Sequence, residues 1–430
     1  MLWYHLDALR QASRNQAIPI GFKQRLDSSL KECGEALKQA IEELNKVQID
    51  SYTRKIQYSW FGFGPARLKS KFSILQTKLI TLEQMCSQLH RLQTGPVSSF
   101  LRPEYFKLVH ETTDNQPGGY LPMSDIWIAD GNYNAPAGRV SGTFVLEKKF
   151  RENDVRFLCN TLMEETSNDG ILQCLGYRQP PYNEFEPPYR PFFQIVMVLP
   201  DKFRSSLAYQ LHHKPKPALK YRLGIARKLA NVISRIHDIG LVHKSIRPRA
   251  ILLIDEGLSN ATERIYIQDW TYVRSTTGAT SQLGGDDSWT RSVYQHPERQ
   301  CQPGRYPEVA YEPKHDLYSL GVTLLEIFLW IPFIELSDLN DFESPLKICM
   351  LFETRALELG EGNGGLPAHY KGNTAKLTGR PEVTKHVWAN IAANELAKVD
   401  NKLSKIVLGC IEGNVASVQE VIQIIDEVKA

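Results

Sequence analysis

Residues 241–274, LVHKSIRPRAILLIDEGLSNATERIYIQDWTYVR, decide the fold that we predict for this chain. The pattern predicts a short loop, a strand over the apolar run Ile251–Ile254, a polar turn and a second strand at residues 265–267, where side chains alternate in polarity. Asp269 follows that second strand directly. Its carboxylate is therefore expected to face a cleft at the end of the strand.

The same stretch resembles the catalytic loop and the metal-binding motif of protein kinases, written H-R-D-L-x-x-x-N and D-F-G. His243 matches the first position, Lys244 replaces the Arg and Ser245 replaces the catalytic Asp. Ala250 falls where the Asn stands, and the triplet D-W-T that begins at Asp269 replaces D-F-G. The sequence therefore keeps the spacing of the two motifs but lacks several of the side chains that act in kinase catalysis.

These replacements remove two functions of the kinase site. In that family the catalytic Asp accepts or orients the substrate hydroxyl, and the Asn helps to hold a second magnesium ion. A serine hydroxyl is not ionised at neutral pH, so Ser245 cannot act as a carboxylate base, a loss of about 10²–10⁴-fold in rate. Ala250 offers no oxygen to a hard cation. Asp269 keeps metal-ligand chemistry, so the resemblance implies at most weak binding of ATP and magnesium, with no certain cofactor and no enzymatic activity.

Two further motifs follow in the order that kinases show. The segment HDLYSLGV at residues 315–322 resembles the start of the large buried helix, in which Asp316 would tie the helix to the catalytic loop. The segment YQHPE resembles the A-P-E motif, with Pro297 and Glu298 matching and His296 in place of Ala. Residues 269–298 would then form the activation segment. Together the motifs predict an α+β, two-lobed kinase-like fold, with a small lobe at 120–200 and a large lobe at 201–430.

The predicted small lobe keeps part of a nucleotide site. Residues 130–138, DGNYNAPAG, stand where kinases have a Gly-rich phosphate loop, and they contain no G-x-G-x-x-G. The next predicted strand ends in Lys148 and Lys149, one of which should match the phosphate-binding Lys. Strand alternation does not choose between them, and a surface lysine pair is the other interpretation. A predicted helix at 155–165 offers Glu164 or Glu165 as the partner of that Lys.

Residues 1–95 are predicted to form a separate all-α domain, joined by a linker at 96–119. Apolar residues recur at alternating steps of four and three before and after the break FGFGP, as in a helical bundle. Residues 51–95 carry seven Lys and Arg against the single Glu83, and all seven cations lie between 54 and 91. A solvated helix face is one interpretation, and attachment to an anionic membrane or an acidic partner is the other.

A helical domain followed by a kinase-like domain resembles the mixed-lineage-kinase-domain-like effectors of necroptosis and the fungal HeLo-type proteins. The segments IQYSW at 56–60 and KSKF at 69–72 are similar to the end of a HeLo domain. This resemblance implies fungal origin and a part in cell-death or incompatibility signalling. The apolar leading helix of those domains is not found in this sequence: either that piece is missing here, or the helical domain serves regulation rather than membrane attack.

Composition narrows the classes of function. A net charge of +3 over 430 residues does not favour nucleic acid as a partner. Seven scattered cysteines without a C-x-x-C suit free thiols in the cytoplasm. No secretory signal opens the sequence. The apolar run at 317–336 is interrupted by Glu326 and Pro332, so a buried helix is expected there rather than a membrane span.

The sequence therefore predicts a catalytically inactive pseudokinase that acts as a signalling scaffold or switch and binds a protein partner. One alternative is a divergent active kinase that uses Asp269 for metal. The other is a membrane-disrupting helical effector that the pseudokinase regulates.

Overall fold

The computed structural model describes most of residues 99–428, with gaps at 102–105, 109–118, 136–137, 150–151, 165–169, 181–191, 201–202, 255–263, 277–287, 301–309, 338–344 and 367–379. Before residue 99 it describes only residues 31–32, 34–36, 38–39, 47–49 and 56–58. The chain divides into two compact units, Met1–Val97 and Ser98–Ala430.

The first unit contains a β-hairpin that corrects the all-α prediction. Strand β1, Val47–Ile49, pairs antiparallel with β2, Ile56–Tyr58. Both segments fall in the region predicted to be helical, but their β-branched and aromatic residues favour a strand. The described residues between 31 and 39 are helical, as predicted. The rest of the predicted domain at 1–95, including every cation between 54 and 91, lies outside the described residues.

The second unit begins with an antiparallel sheet in the order β3-β5-β6-β8-β7, with β4 paired to β5. Its strands are β3 Phe106–Leu108, β4 Gly119–Tyr120, β5 Trp127–Ala135, β6 Gly138–Lys149, β7 Cys174–Arg178 and β8 Phe193–Val198. Helix α1, Glu152–Glu164, connects β6 to β7. One sheet face joins the main core through Val145 and Ile195, and the other packs Phe144 on Phe106. This two-sided burial follows from the alternation of side chains along a strand.

The structure places strands in two segments that were predicted as connections. The predicted linker at 96–119 contains β3, and the Leu101 amide donates to the Tyr177 carbonyl over 2.7 Å. Residues 130–138, predicted at the place of a phosphate loop, include the end of β5 and the first residue of β6. A Cβ on Gly131 would lie 3.0 Å from the carbonyl oxygen of Lys107 on β3, so the two strands approach closely there.

The two strands predicted before Asp269 are confirmed. Strand β11, Ile251–Ile254, pairs antiparallel with β12, Arg264–Ile267, and Ile251 lies opposite Ile267. All four β11 side chains are buried, which explains the continuous apolar run. The neighbouring elements are β9 Phe203–Ser206, helix α2 Leu207–His213, helix α3 Leu219–Asp238, β10 Leu241–Val242 and β13 Arg274–Ser275.

The remaining elements are mostly helical, so the fold is mixed α+β as predicted. They are α4 Trp289–Ser292, α5 Pro313–Leu329, β14 Ile334–Leu336, β15 Leu346–Ile348, α6 Met350–Leu359, α7 Pro381–Asn394, α8 Asn401–Glu412 and α9 Val418–Glu427. Helix α5 is buried from His315 to Leu329 because other elements surround it. Across the described part of the chain, every helix is too short or too polar to cross a bilayer.

Candidate functional site

Asp269 lies at the end of β12, where the sequence predicted a carboxylate facing a cleft. Its backbone is left-handed, with φ of 66°, a conformation that Asp adopts more readily than most residues. Its amide donates to the Glu147 carboxyl over 2.7 Å. Its Oδ2 accepts from Ser245 Oγ at 2.5 Å, from Arg247 at 2.5 Å and from Arg291 at 3.3 Å. Burial acts to raise the pKa of Asp269, but the two guanidiniums outweigh burial and lower it to about 2.

Arg247 connects this carboxylate to a second one. Its side chain is 3% exposed, and it donates to Asp125 as well as to Asp269 and Ser245. The Arg247–Asp125 distance is 2.8 Å, and Arg249 approaches the other Asp125 oxygen at 3.2 Å. We call Asp125, Ser245, Arg247, Asp269 and Arg291 the cleft cluster. A cavity of about 240 Å³ adjoins it, lined in part by Asp125, Asp269 and Arg291.

The structure distinguishes the two predicted lysines. Lys149 is buried, and its ammonium donates to the carbonyls of Thr271 at 2.7 Å and Val273 at 3.0 Å. Burial lowers the pKa of Lys149 to about 8, against the opposing effect of nearby carboxylates. Lys148 lines the cavity beside the cleft cluster, where its ammonium lies 4.6 Å from the Phe192 ring centroid. Lys149 is therefore the lysine that reaches the Asp269 loop.

The structure describes one of the two glutamates predicted as the partner of this lysine. Glu164 is exposed in the last turn of α1, while Lys149 bonds to backbone carbonyls instead. Glu165 lies outside the described residues. The buried side chains of α1 are Val155, Leu158, Cys159, Thr161 and Leu162, so this helix turns an uncharged face inward. The carboxyl nearest this site on the sheet is instead Glu147, whose pKa rises to about 8 because of burial and the neighbouring Asp269 charge.

Asp316 holds the start of α5 against the loop that carries His243. Its buried carboxylate accepts from the amides of His243 at 2.8 Å and Lys244 at 2.9 Å, and from the Tyr311 hydroxyl at 2.7 Å. Burial acts to raise the pKa of Asp316, but hydrogen bonds, including that of His237, lower it. The His243 ring is buried edge-to-face with Trp270 at 5.4 Å, and burial lowers its pKa to about 4.

Ala250 has a structural position in the same loop. Its side chain is fully buried, its amide donates to the Arg247 carbonyl at 2.9 Å, and its carbonyl accepts from Gln268 at 2.7 Å. These backbone bonds join the start of β11 to the end of β12. The methyl side chain brings no oxygen to the cleft cluster.

Pro297 and Glu298 belong to a short 3₁₀ turn that docks on the start of α5. One Glu298 carboxylate oxygen lies 3.2 Å from His315 Nε2, 3.1 Å from Lys314 and 3.7 Å from His296 Nδ1. Each histidine Nδ1 accepts a backbone N–H, so each ring carries its own proton on Nε2. His315 Nε2 can therefore donate to the Glu298 carboxylate, whereas His296 is joined to Glu298 through the backbone amide that it accepts.

Sequence patterns missed four residues of this site: Asp125, Glu147, Arg247 and Arg291. Each is a charged residue near a predicted motif, and the sequence offered no other indication that it belongs to the site. Their roles depend on contacts across the fold, because Arg247 lies 122 residues from Asp125 and Arg291 lies 22 residues from Asp269.

No family model matches the chain. It is 30% identical over 99 residues to a probable protein kinase of Dictyostelium discoideum, which is 23% of each chain. It is 27% identical over 209 residues to a serine/threonine-protein kinase of Corynebacterium efficiens, covering 49% of this chain and 37% of the relative. The chain is related to protein kinases.

A third relative is eukaryotic translation initiation factor 2-alpha kinase 1 of Mus musculus, 34% identical over 115 residues, with 24% of this chain and 16% of the relative covered. The kinase-related chain thus spans less than two fifths of the length of each of these relatives.

Proposed function

We propose that this kinase-related chain is catalytically silent and acts as a signalling scaffold or switch. The observation that carries the proposal is the enclosure of Asp269 by Arg247, Arg291 and Ser245. In a working kinase the corresponding carboxylate binds magnesium. Here two cations already neutralise it.

A magnesium ion would have to displace these partners. Mg²⁺ demands octahedral oxygen coordination at about 2.0–2.1 Å. Arg247 and Arg291 donate to the same Asp269 oxygen, and a second positive charge beside them would be repelled. Lys149 is likewise engaged by the Thr271 and Val273 carbonyls. Asp269 and Lys149 are therefore both engaged by other groups of the protein.

Neither of two other carboxyls near Asp269 is suited to replace the missing catalytic base. Asp125 is bound by Arg247 and Arg249; burial acts to raise its pKa, but the two arginines lower it below its ordinary value, which makes it a poor proton acceptor. Glu147 is buried, and its raised pKa of about 8 favours the protonated form at neutral pH. Ser245 donates its hydroxyl proton to Asp269.

Titration of the full chain with ATP tests whether the cleft binds nucleotide. A ligand that binds only the folded form raises the melting temperature by mass action. We expect no rise with ATP, with or without magnesium, and no transfer of labelled phosphate. Phosphate transfer that Asp269→Ala abolishes would overturn the proposal and establish the divergent active kinase.

The switch role rests on the division of the chain into two units. We propose that the kinase-related unit holds a protein partner and that the first unit, which resembles a HeLo-type domain, reports its state in fungal cell-death or incompatibility signalling. The four cysteines in the described part of the chain are buried free thiols, in keeping with a cytoplasmic protein. Leakage of dye from anionic liposomes on addition of the full chain, weakened by salt, would instead support the membrane-disrupting effector.

A further inference from the structure

Residues 99–101, the first described residues after the boundary between the two units, lie along the outer edge of β7. Strand β7 is the last in the order of its sheet, and an edge strand presents backbone groups that another segment can pair with. The Leu101 amide donates to the Tyr177 carbonyl at 2.7 Å, and the Tyr177 amide donates to the Ser99 carbonyl at 2.8 Å. We call residues 99–101 the strap.

Gly176 fits β7 to the strap. Its φ is 135°, and a Cβ at this position would overlap the Ser99 carbonyl oxygen. A residue with a side chain would therefore force the two backbones apart. On the strap side, Leu101 is buried and packs in one apolar cluster with Leu175. The strap is thus held by backbone bonds, by a close approach at one glycine and by one buried leucine.

Tyr177 joins the strap to α1. Its backbone bonds to the strap, and its ring lies edge-to-face with that of Phe100 at 5.4 Å. Its hydroxyl donates to Glu152 in the first turn of α1 at 3.1 Å and accepts from Arg156 at 3.4 Å. One buried residue therefore contacts the strap at one end and α1 at the other.

The first turn of α1 also acts on the Asp269 loop. Burial lowers the pKa of Lys149, and Asp154 in that turn is the carboxylate that opposes this effect most strongly. Lys149 donates to the carbonyls of Thr271 and Val273, which follow Asp269 closely. A displacement of α1 would therefore change the charge environment of the lysine that holds this loop.

We propose that the strap transmits movement of the chain before residue 98 to α1. When that chain moves, the strap leaves β7, Tyr177 loses its two backbone partners, and the bond from its hydroxyl to Glu152 weakens. The docked and the released strap are the two states that such a switch requires. The inference rests on the proposed switch role and names the residues through which the switch operates.

Hydrogen–deuterium exchange of the full chain tests the coupling, with Gly176→Ala as the main variant. The added methyl displaces the Ser99 carbonyl and releases the strap. Exchange of the Leu101 amide and of the α1 amides should then become about tenfold faster, the change that the loss of one hydrogen bond produces.

Gly413→Ala is the matched control variant. Gly413 also has a positive φ, 85°, at the end of α8, but a Cβ there would meet nothing within 4 Å. The substitution therefore adds a methyl at a positive φ without a collision. It should leave exchange in the strap and in α1 unchanged.

Tyr177→Phe separates coupling from general loosening. It removes only the hydroxyl that bonds to Glu152, so exchange in α1 should become faster. Adding Gly176→Ala to Tyr177→Phe should then release the strap without a further increase in α1, because the connection is already broken. Additive effects on α1 would show that it responds to Gly176 by another route and would overturn the proposal.

Leu101→Ala releases the strap from its own side and replaces Gly176→Ala if that variant does not fold. The proposal is also overturned if the strap exchanges faster while α1 keeps its rate, if neither substitution releases the strap, or if Gly413→Ala acts like Gly176→Ala. Phosphate transfer by the cleft is measured separately and would overturn only the proposed catalytic silence, so the two proposals fail separately.

Discussion

Arg247 is the residue on which the cleft cluster depends. It is buried between two carboxylates, and its removal would take away a positive charge that both Asp269 and Asp125 contact. Breaking one partner of a buried ion pair costs about 3–5 kcal/mol. We expect Arg247→Ala to lower the free energy of unfolding by that amount, measured by urea denaturation.

Lys347→Ala provides the control for Arg247→Ala. Lys347 pairs with Glu335 at 3.7 Å and is 53% exposed, so its loss should cost no more than about 1 kcal/mol. Equal effects of the two substitutions would show that the Arg247 pairs are as well solvated as a surface pair.

Glu326 of α5 should give the protein an unusual dependence of stability on pH. Burial raises its pKa from 4.5 to about 8, and the Phe333 amide donates to it at 2.6 Å. Between these values the folded chain keeps a proton that the unfolded chain releases, so stability falls as pH rises from about 5 to 8. Glu326→Gln keeps an acceptor for Phe333 and should gain on the order of 1 kcal/mol at pH 8.

Urea denaturation across that pH range checks this prediction. The decrease in the free energy of unfolding with rising pH should become smaller in Glu326→Gln. It should not vanish, because the pKa of Glu147 is also raised to about 8. An unchanged slope would mean that Glu326 is ionised in the folded protein at neutral pH.

At the scale of elements, the segment Leu121 to Ile126 between β4 and β5 joins the small sheet to the rest of the unit. Leu121 and Ile126 belong to the main core, and Ser206 at the start of α2 donates to the Met123 carbonyl at 3.1 Å. Asp125 adds its pairs with Arg247 and Arg249. We expect Asp125→Ala to speed amide hydrogen exchange in residues 119–127, because the ionic contacts that hold the segment are lost.

Asp130→Ala is the matched control for this element. Asp130 accepts from Thr143 at an exposed position on β5, so its loss should leave exchange in residues 119–127 unchanged. If Asp125→Ala also leaves exchange unchanged, apolar burial alone holds the segment in place.

At the scale of the whole molecule, the second unit should fold without the first. The main core described in the structure draws its residues from Leu121 to Ile425, all within Ser98–Ala430. We expect a chain of residues 98–430 to melt at the same temperature as this unit does in the full chain, followed by circular dichroism, because the described core draws on no residue of the first unit. A clearly lower melting temperature would show that residues 1–97 stabilise that core.

Local patterns in the sequence determined the mixed α+β fold and the framework around Asp269. Residues 251–254 form a buried strand because four consecutive apolar side chains exclude water on both faces, and residues 315–329 form a buried helix for the same reason. The sequence predicted the contact of Asp316 with the catalytic loop because Asp316 belongs to the motif at the start of that helix.

The tertiary structure alone decided which charges meet. Lys149 rather than Lys148 reaches the Asp269 loop, since the sheet face that meets α1 carries odd-numbered residues of β6. Arg247 captures both Asp125 and Asp269, and β3 lies in a segment predicted to be a linker. Side-chain periodicity reports the environment of each element, whereas ion pairs between residues more than a hundred positions apart depend on how the elements pack.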